Sequence, residues 1–490
     1  MAVRSNIAAS ALSSFLSCLI SPVTLTINRV VPNSQLYLTT HDCMTDQISL
    51  YSLASLSTDA RAQLLKRIEH DIGDYLTKVD PIIEAVRVEG DEALARFARE
   101  FDDAPVQSGQ IAATAADFDR AFDTLDREMI DVLEYAADNI RRYHEAQMPG
   151  DLWMKEIRPG ALVGERYTPI DSVACYSPRG KGSFPSVTLM TAIPAVVAGV
   201  SDAIILTPAA ADGEVDPATL VAARIAGIER VYKAGGAQAV AAAAFGTATI
   251  PACKKIVGPG SPWFVAGRQR LQHLIDPGLP AGPSEVIVMA DETANPSVAA
   301  LDLIIESEHG ADSSAFLVTW SKKIVDHAQK MIPEYWANMS EGQAAHSRAV
   351  LGGPRGGIVY TPDAQSAYDF INDYAPEHLQ VLSKNPYEHL SHIRNAAEIL
   401  LGEHAAGSIA NYMMGPNCVL PTSGAAHTRS PLGVHDFLKS CSVGHLTKTA
   451  FDEMAPKTHR FASYEGFDAH ANAVSELRQQ AFAEWQESDG

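Results

Sequence analysis

The chain has 490 residues, enough for about three domains at roughly 150 residues each. Its 38 Lys and Arg against 59 Asp and Glu leave a net charge of −21. That charge repels a polyanion and no basic patch offsets it, so no nucleic-acid partner is expected. With 46% apolar and 20% charged residues, the composition is that of a globular protein with a sizeable core, which excludes disorder, collagen and coiled coil as overall classes.

The first 41 residues contain no acid. They carry Arg4, Arg29 and a Ser-interrupted apolar run, Ile7 to Ile20, too short to span a bilayer. Residues 1–43 therefore read as an extension, either a targeting segment or the product of an upstream start before Met44. No later segment reaches 18 uninterrupted apolar residues, so no membrane span is expected. The six cysteines, Cys18, Cys43, Cys175, Cys253, Cys418 and Cys441, form no CxxC pair and are too sparse for a disulfide scaffold. A reducing, cytoplasmic setting is expected.

From Ser57 to His144 the pattern is helical, with Leu64, Leu65, Ile68, Ile72 and Tyr75 at spacings of three and four. Pro149-Gly150 and Pro159-Gly160 punctuate the chain. Strand-like runs then alternate with helices. Val173–Tyr176 reads as a strand, Thr188–Ala198 as a helix and Ala203–Leu206 as a strand. Pro217–Ala226 reads as a helix, Val231–Tyr232 as a strand edge, Ala237–Phe245 as a helix and Lys255–Val257 as a strand. Val286–Met289, Ala315–Val318, Ile358–Tyr360, Leu379–Leu382 and Ile399–Leu401 continue the series, and Asp468–Trp485 reads as one closing helix. Such alternation predicts an α/β fold with parallel sheets.

No GxGxxG, GxxxxGK[ST] or HExxH motif is present. Gly180 with Gly182, and Gly235 with Gly236, either bring backbone N–H groups near a phosphate or serve ordinary βα turns. Asn295-Pro296 reads as a helix start and Gly310 as its stop. Glu306 and His309 then share a face of the last turn, which suits either two ligands of one ion or a solvated helix end. Glu377-His378 opens an apolar strand and suits acid–base chemistry or a polar loop. Asn411, Tyr412 and Gly415-Pro416 read as a polar loop.

In order along the chain stand Gly235-Gly236-Ala237-Gln238-Ala239, Gly258-Pro259-Gly260, Pro280-Ala281-Gly282-Pro283-Ser284-Glu285-Val286, Glu308-His309-Gly310 and Pro376-Glu377-His378-Leu379. Together these motifs resemble the histidinol dehydrogenase family, from about Leu56 to the C-terminus. The resemblance implies a homodimeric enzyme that uses zinc and NAD to oxidise a primary alcohol to a carboxylate through an aldehyde. It implies two incomplete Rossmann-like domains with N-terminal helices and a C-terminal helical dimerisation tail. The expected boundaries are 44–170 for the helical region and the start of the first α/β domain, 171–285 for the NAD-binding domain, 286–430 for the rest of the first domain with zinc and catalytic residues, and 431–490 for the tail.

The family's zinc ligands, Gln, His, Asp and His, match Glu306, His309, Asn411 and His470. Two of the four depart, in a way that conserves one carboxylate, one amide and two imidazoles and leaves the formal site charge at +1. By the same resemblance His378 is the general base of alcohol oxidation and Glu377 the base that activates water. Ser284 and Glu465 match substrate contacts, to which Glu377, His378, Asn411 and His470 also belong. Tyr176 and Gln238 match NAD contacts, and Ser261 stands where the family has Asn. Cys418 replaces a substrate-contacting His of the histidinol enzymes. Arg179, Lys181 and Arg429 are extra cations; histidinol is itself cationic, so they suit a small anionic hydroxy substrate or else the NAD pyrophosphate or solvent. These departures most resemble the sulfopropanediol 3-dehydrogenase branch. The alternatives are a histidinol dehydrogenase with a shifted ligand set, and a non-catalytic binding protein on the same fold.

Overall fold

The computed structural model describes residues 47–67, 72–179 and 182–488. The N-terminal extension, Ile68, Gly180 and Lys181 lie outside the described residues. The helical pattern after Ser57 resolves into helices Thr58–Leu64, Gly73–Glu89, Asp91–Phe101, Ala115–Thr124 and Arg127–Ala146. Three sheets follow. Strands β4 (Ser172–Tyr176), β5 (Asp202–Thr207), β6 (Val231–Lys233) and β7 (Lys255–Val257) form a parallel sheet in the order β6-β5-β4-β7. Strands β1 (Leu50–Ser52), β8 (Glu285–Ala290), β9 (Ser314–Thr319), β10 (Gly356–Tyr360), β11 (His378–Leu382) and β12 (Glu398–Leu401) form a second parallel sheet in the order β1-β10-β9-β8-β11-β12.

Both parallel sheets are covered on two faces, and their strands therefore read as apolar runs with no polar alternation. In the smaller sheet Val173, Cys175 and Ile205 pack to one side, and Ala174, Tyr176, Ile204 and Leu206 to the other. In the larger, Val286, Val288 and Leu317 face one core, and Ile287, Met289, Phe316 and Val318 the opposite one. Each sheet reverses its direction of growth once, between β4 and β7 in the smaller and between β8 and β11 in the larger. In doubly wound sheets such reversals open crevices.

The third sheet is antiparallel and has no counterpart in the sequence reading. It joins β2 (Leu152–Arg158), β3 (Ala161–Pro169) and β13 (Leu438–Leu446) in the order β13-β3-β2. Pro159-Gly160 is the turn of its first hairpin. Gly160 takes φ +75°, and a Cβ there would strike Thr447.

Three expectations need correction. The closing helix is two, Asp468–Asn472 and Glu476–Ser488, broken where Ala473 caps the first. Asn411 and Tyr412 end a short helix, Gly407–Tyr412, and do not lie in a loop. The helix carrying Glu306 stops at Ser307 with Glu308 as its cap, so His309 lies just past the last turn. No described helix is long and apolar enough to cross a membrane.

Candidate active site

The strand starts of the larger sheet gather its chemistry. His378 opens β11 and Glu398 opens β12, directly opposite in register. Register thus brings His378 Nδ1 within 2.7 Å of Glu398 Oε2, with both side chains buried. Glu377 precedes β11. Its Oε2 accepts the backbone N–H of Glu285, the first residue of β8, at 2.9 Å, and its Oε1 is 3.9 Å from His378 Nε2. Glu285 Oε1 accepts from Arg67 Nε at 2.7 Å and from the Ser423 backbone at 3.0 Å. Arg67 also donates to the Tyr374 carbonyl at 2.7 Å and lies over the Tyr374 ring.

Helix Pro296–Ser307 starts as expected, with Pro296 in its first turn and the Asn295 side chain accepting from Ser297 N at 3.0 Å. Its other end points at the same strand starts and delivers Glu306, which is 2% exposed. His309 Nδ1 is 2.8 Å from Glu306 Oε2 and 2.9 Å from Ser284 Oγ. Asn411 Nδ2 donates to Glu306 Oε1 at 2.8 Å. Glu306, His309, Asn411 and Ser284 therefore meet, close to Glu377 and His378.

The charges are strongly coupled. Burial alone would raise the Glu306 carboxyl, but the imidazoles of His378 and His309 and the Asn411 amide hold it at about 2. Burial pushes Glu377 well above the carboxylate range. Burial would lower His378, yet Glu306, Glu377 and Glu398 together raise it to about 10. Burial, reinforced by Glu398, Glu306 and Glu377, drives the Cys418 thiol well above its ordinary value, so it is no nucleophile.

Asn411 Oδ1 is buried and accepts no hydrogen bond, and buried Glu306 Oε2 faces the His309 ring nitrogen at 2.8 Å without hydrogen-bond geometry. Such orphaned acceptors cost free energy unless a cation meets them, and the helix C-terminus beside them adds negative potential. Oxygen donors with an imidazole suit zinc. These residues fit a metal, and they supply three of the four expected ligands. Among the described residues no three His, Cys, Asp or Glu side chains gather into a metal-holding group. The fourth expected ligand, His470, is exposed in helix Asp468–Asn472, where its ring lies 5.2 Å from that of Phe467. Glu465 ends helix Lys448–Glu465 and is also exposed. A single chain does not join these two to the others.

The expected cofactor positions lie apart, where the strands of the smaller sheet end. Tyr176 ends β4, stacks on Phe264 at 4.0 Å and accepts the Gly236 N–H at 3.1 Å. Gln238 is buried in the first turn of helix Gly236–Phe245. Ser261 is the N-cap of helix Pro262–Leu271, yet its hydroxyl makes no capping bond. Arg179, in the loop after β4, is exposed and within electrostatic reach of Asp102, on this cofactor side. Arg429 is exposed after the turn Ala425–His427.

A sequence profile described as histidinol dehydrogenase matches residues 65–478. A relative from Colwellia psychrerythraea named histidinol dehydrogenase homolog is 57% identical over 438 residues, covering 89% of this chain and 98% of its own. The histidinol dehydrogenase of Synechocystis is 43% identical over 427 residues, with 87% and 98% covered. The crystal structure of histidinol dehydrogenase from Elizabethkingia anophelis superposes with a TM-score of 0.83 at 31% identity, covering 89% of this chain and 99% of that one. The chain belongs to the histidinol dehydrogenase family. That family consists of NAD-dependent oxidoreductases acting on CH–OH groups, uses zinc and forms homodimers. Within this family fold, the functional group that the sequence reading missed is Glu398. Its signal was available: an acid opens Ile399–Leu401 just as Glu377-His378 opens Leu379–Leu382.

Proposed function

We propose that this protein oxidises (R)-2,3-dihydroxypropane-1-sulfonate to (R)-3-sulfolactate, through an aldehyde, with reduction of two NAD. The observation that carries the reading is the Asn411–Glu306 hydrogen bond. It joins the two positions where the chain departs from the histidinol enzymes' ligand set, so the departures act as one exchange. Cys418 in place of a substrate-binding His supports the same reading. So does the greater identity to relatives named only as homologs, 55–57% against 43% and below for those named histidinol dehydrogenase. Arg429 is the cation proposed for the sulfonate; Arg179, on the cofactor side beside Asp102, is left to the NAD pyrophosphate, with Tyr176, Gln238 and Ser261 as the NAD contacts.

Glu306, His309, Asn411 and His470 would hold zinc, and bound zinc and NAD would supply a Lewis acid for the hydroxyl and an acceptor for two hydrides. His378 takes the alcohol proton as the first hydride leaves carbon, with Glu398 fixing its ring. Glu377, kept basic by burial, takes a proton from water as that water adds to the aldehyde. The resulting hydrate gives up the second hydride and becomes the carboxylate. In the homodimer, Glu465 and His470 serve the site of the partner subunit. The enzyme works in the cytoplasm.

The test is NADH formation by purified, zinc-loaded protein with the sulfonate diol beside L-histidinol. About two NADH per diol and none from histidinol are expected. Turnover of histidinol alone overturns the substrate assignment. Bound zinc with no turnover of either points to another alcohol, and neither zinc nor turnover points to a binding protein.

A further inference from the structure

In Rossmann-type sheets an acid after the second strand grips the adenosine ribose and selects NAD over NADP. Here the second strand, β5, runs into Pro208-Ala209-Ala210-Ala211, with no acid until Asp212. Asp212 is occupied with its own turn, accepting the Glu214 N–H at 2.9 Å. Another carboxylate stands in that place. Asp102 caps the end of helix Asp91–Phe101, far earlier in the chain. A Cβ built on Gly235 would lie 2.8 Å from Pro208 Cγ and 3.5 Å from Asp102 Oδ2. The Asp102 carboxylate therefore sits against the loops that follow β5 and β6. It also reaches electrostatically to Arg179 and to the hydroxyl of Tyr176, beyond the end of β4.

The carboxylate is held in place. Both Asp102 N–H and Ala104 N–H bond back to the Ala98 carbonyl, at 3.1 and 3.0 Å, and Asp103 between them takes the left-handed φ of +51°. Asp tolerates that conformation better than most residues. Among the described residues no group donates a hydrogen bond to the Asp102 carboxylate. Burial, opposed by Arg179, pushes its pKa up to about 6, so it is a desolvated acceptor awaiting donors.

We infer that Asp102 binds the ribose hydroxyls of the adenosine half of NAD and repels the 2′-phosphate of NADP. The inference rests on the NAD reading above but not on any choice of alcohol. A helix outside the sheet thus supplies the group that β5 lacks.

The test is isothermal titration of the full, zinc-loaded protein and its Asp102→Asn and Asp102→Glu variants with NAD, ADP-ribose and NADP, with no alcohol present. Asp102→Asn keeps the shape and removes the charge. It is expected to weaken NAD and ADP-ribose about tenfold while leaving NADP unchanged or tighter. Asp102→Glu is expected to retain part of the preference for NAD. Unchanged NAD and ADP-ribose affinities overturn the inference. So does an equal loss for all three ligands with a lower unfolding temperature, which marks a purely structural acid. Wild-type protein that binds neither NAD nor ADP-ribose removes the cofactor reading itself, whereas silence toward the sulfonate diol leaves this result standing.

Discussion

The two parallel sheets put opposite edges to use. In the smaller sheet the proposed cofactor positions follow the strands: Tyr176 ends β4, Gly235 follows β6 and Ser261 follows β7. Helices Pro185–Val197, Gly236–Phe245 and Pro262–Leu271 begin there, and helix starts carry positive potential suited to a pyrophosphate. In the larger sheet the chemistry precedes or opens the strands, at Ser284, Glu285, Glu377, His378 and Glu398. Helices Pro296–Ser307 and Ala364–Tyr374 end at that edge, and helix ends favour a cation. One fold therefore offers an anion edge and a cation edge from the same βα repeat, according to which end of the strands is loaded.

The cation edge breaks most sharply when its exchanged pair is separated. Glu306→Gln alone leaves two amides and no anionic donor. Asn411→Asp alone sets two carboxylates where a 2.8 Å hydrogen bond stood. Each single change is expected to lower zinc affinity and turnover by about 100-fold or more. The double variant, which restores the family's arrangement, should recover to within about tenfold of wild type. Chelator competition and NADH formation measure both. Simple addition of the two losses would mean that the positions drifted independently.

A smaller loss is expected at Glu398, which touches neither metal nor alcohol and positions His378. Glu398→Gln should lower kcat by about 10- to 100-fold with zinc content unchanged. Because Glu398 is one of the carboxylates that raise His378, and His378 acts as a base, the rising acidic limb of the pH profile should also move to lower pH. A loss of zinc, or a fall in activity with no movement of the pH profile, would make Glu398 merely structural.

The anion edge gives a pH signature of its own. The Asp102 carboxyl lies at about 6 in the folded chain against an ordinary 3.8, through burial, with Arg179 lowering it and Asp103 raising it. A folded pKa above the unfolded one means that the folded protein binds more protons between those values. Asp102 therefore adds stability to the cofactor-free protein as pH falls through that window. NAD binding is expected to do the opposite and weaken several-fold as pH drops from 7 to 5. Titrations across that range should lose the trend in Asp102→Asn. An identical pH dependence in the variant would assign it to another group.

The sequence carried the sheets and left their edges obscure. Strands β4, β8, β9 and β11 are buried on both faces, so their apolar runs announce themselves. Strand β2 is exposed along all seven residues and finds its partner by hairpin geometry, while β13 pairs with β3 from far along the chain. Neither leaves a periodic trace. Glu377 and His378 were legible from their motif, but the contact between His378 and Glu398 depends on the register of two strands twenty residues apart. Glu306 and Asn411, 105 positions apart, were legible as complementary departures, and their hydrogen bond follows from that complementarity. His470 and Glu465 were named from the resemblance alone, and in the single chain they are exposed and apart from the other expected ligands.

The far edge of the larger sheet supplies the control. At the carboxyl ends of β8 and β11, where doubly wound sheets usually bind ligands, Tyr368 Oη meets His389 Nδ1 at 2.7 Å and His389 Nε2 meets Asp291 Oδ2 at 3.3 Å. Asp291 Oδ1 also takes the Thr293 N–H and hydroxyl, at 2.8 and 2.7 Å. All three are buried, and the ring of His392 stacks on Tyr368 at 4.6 Å. The crevice is filled by the protein's own side chains, each with a partner. If the larger sheet works only at its strand starts, Tyr368→Phe should leave kcat and KM unchanged. It should cost about 1 kcal/mol of stability, the worth of one buried hydrogen bond. Denaturant unfolding and steady-state kinetics read the two quantities separately. A fall in kcat at undiminished stability would bring the carboxyl edge into the reaction and end the division of labour between the sheets.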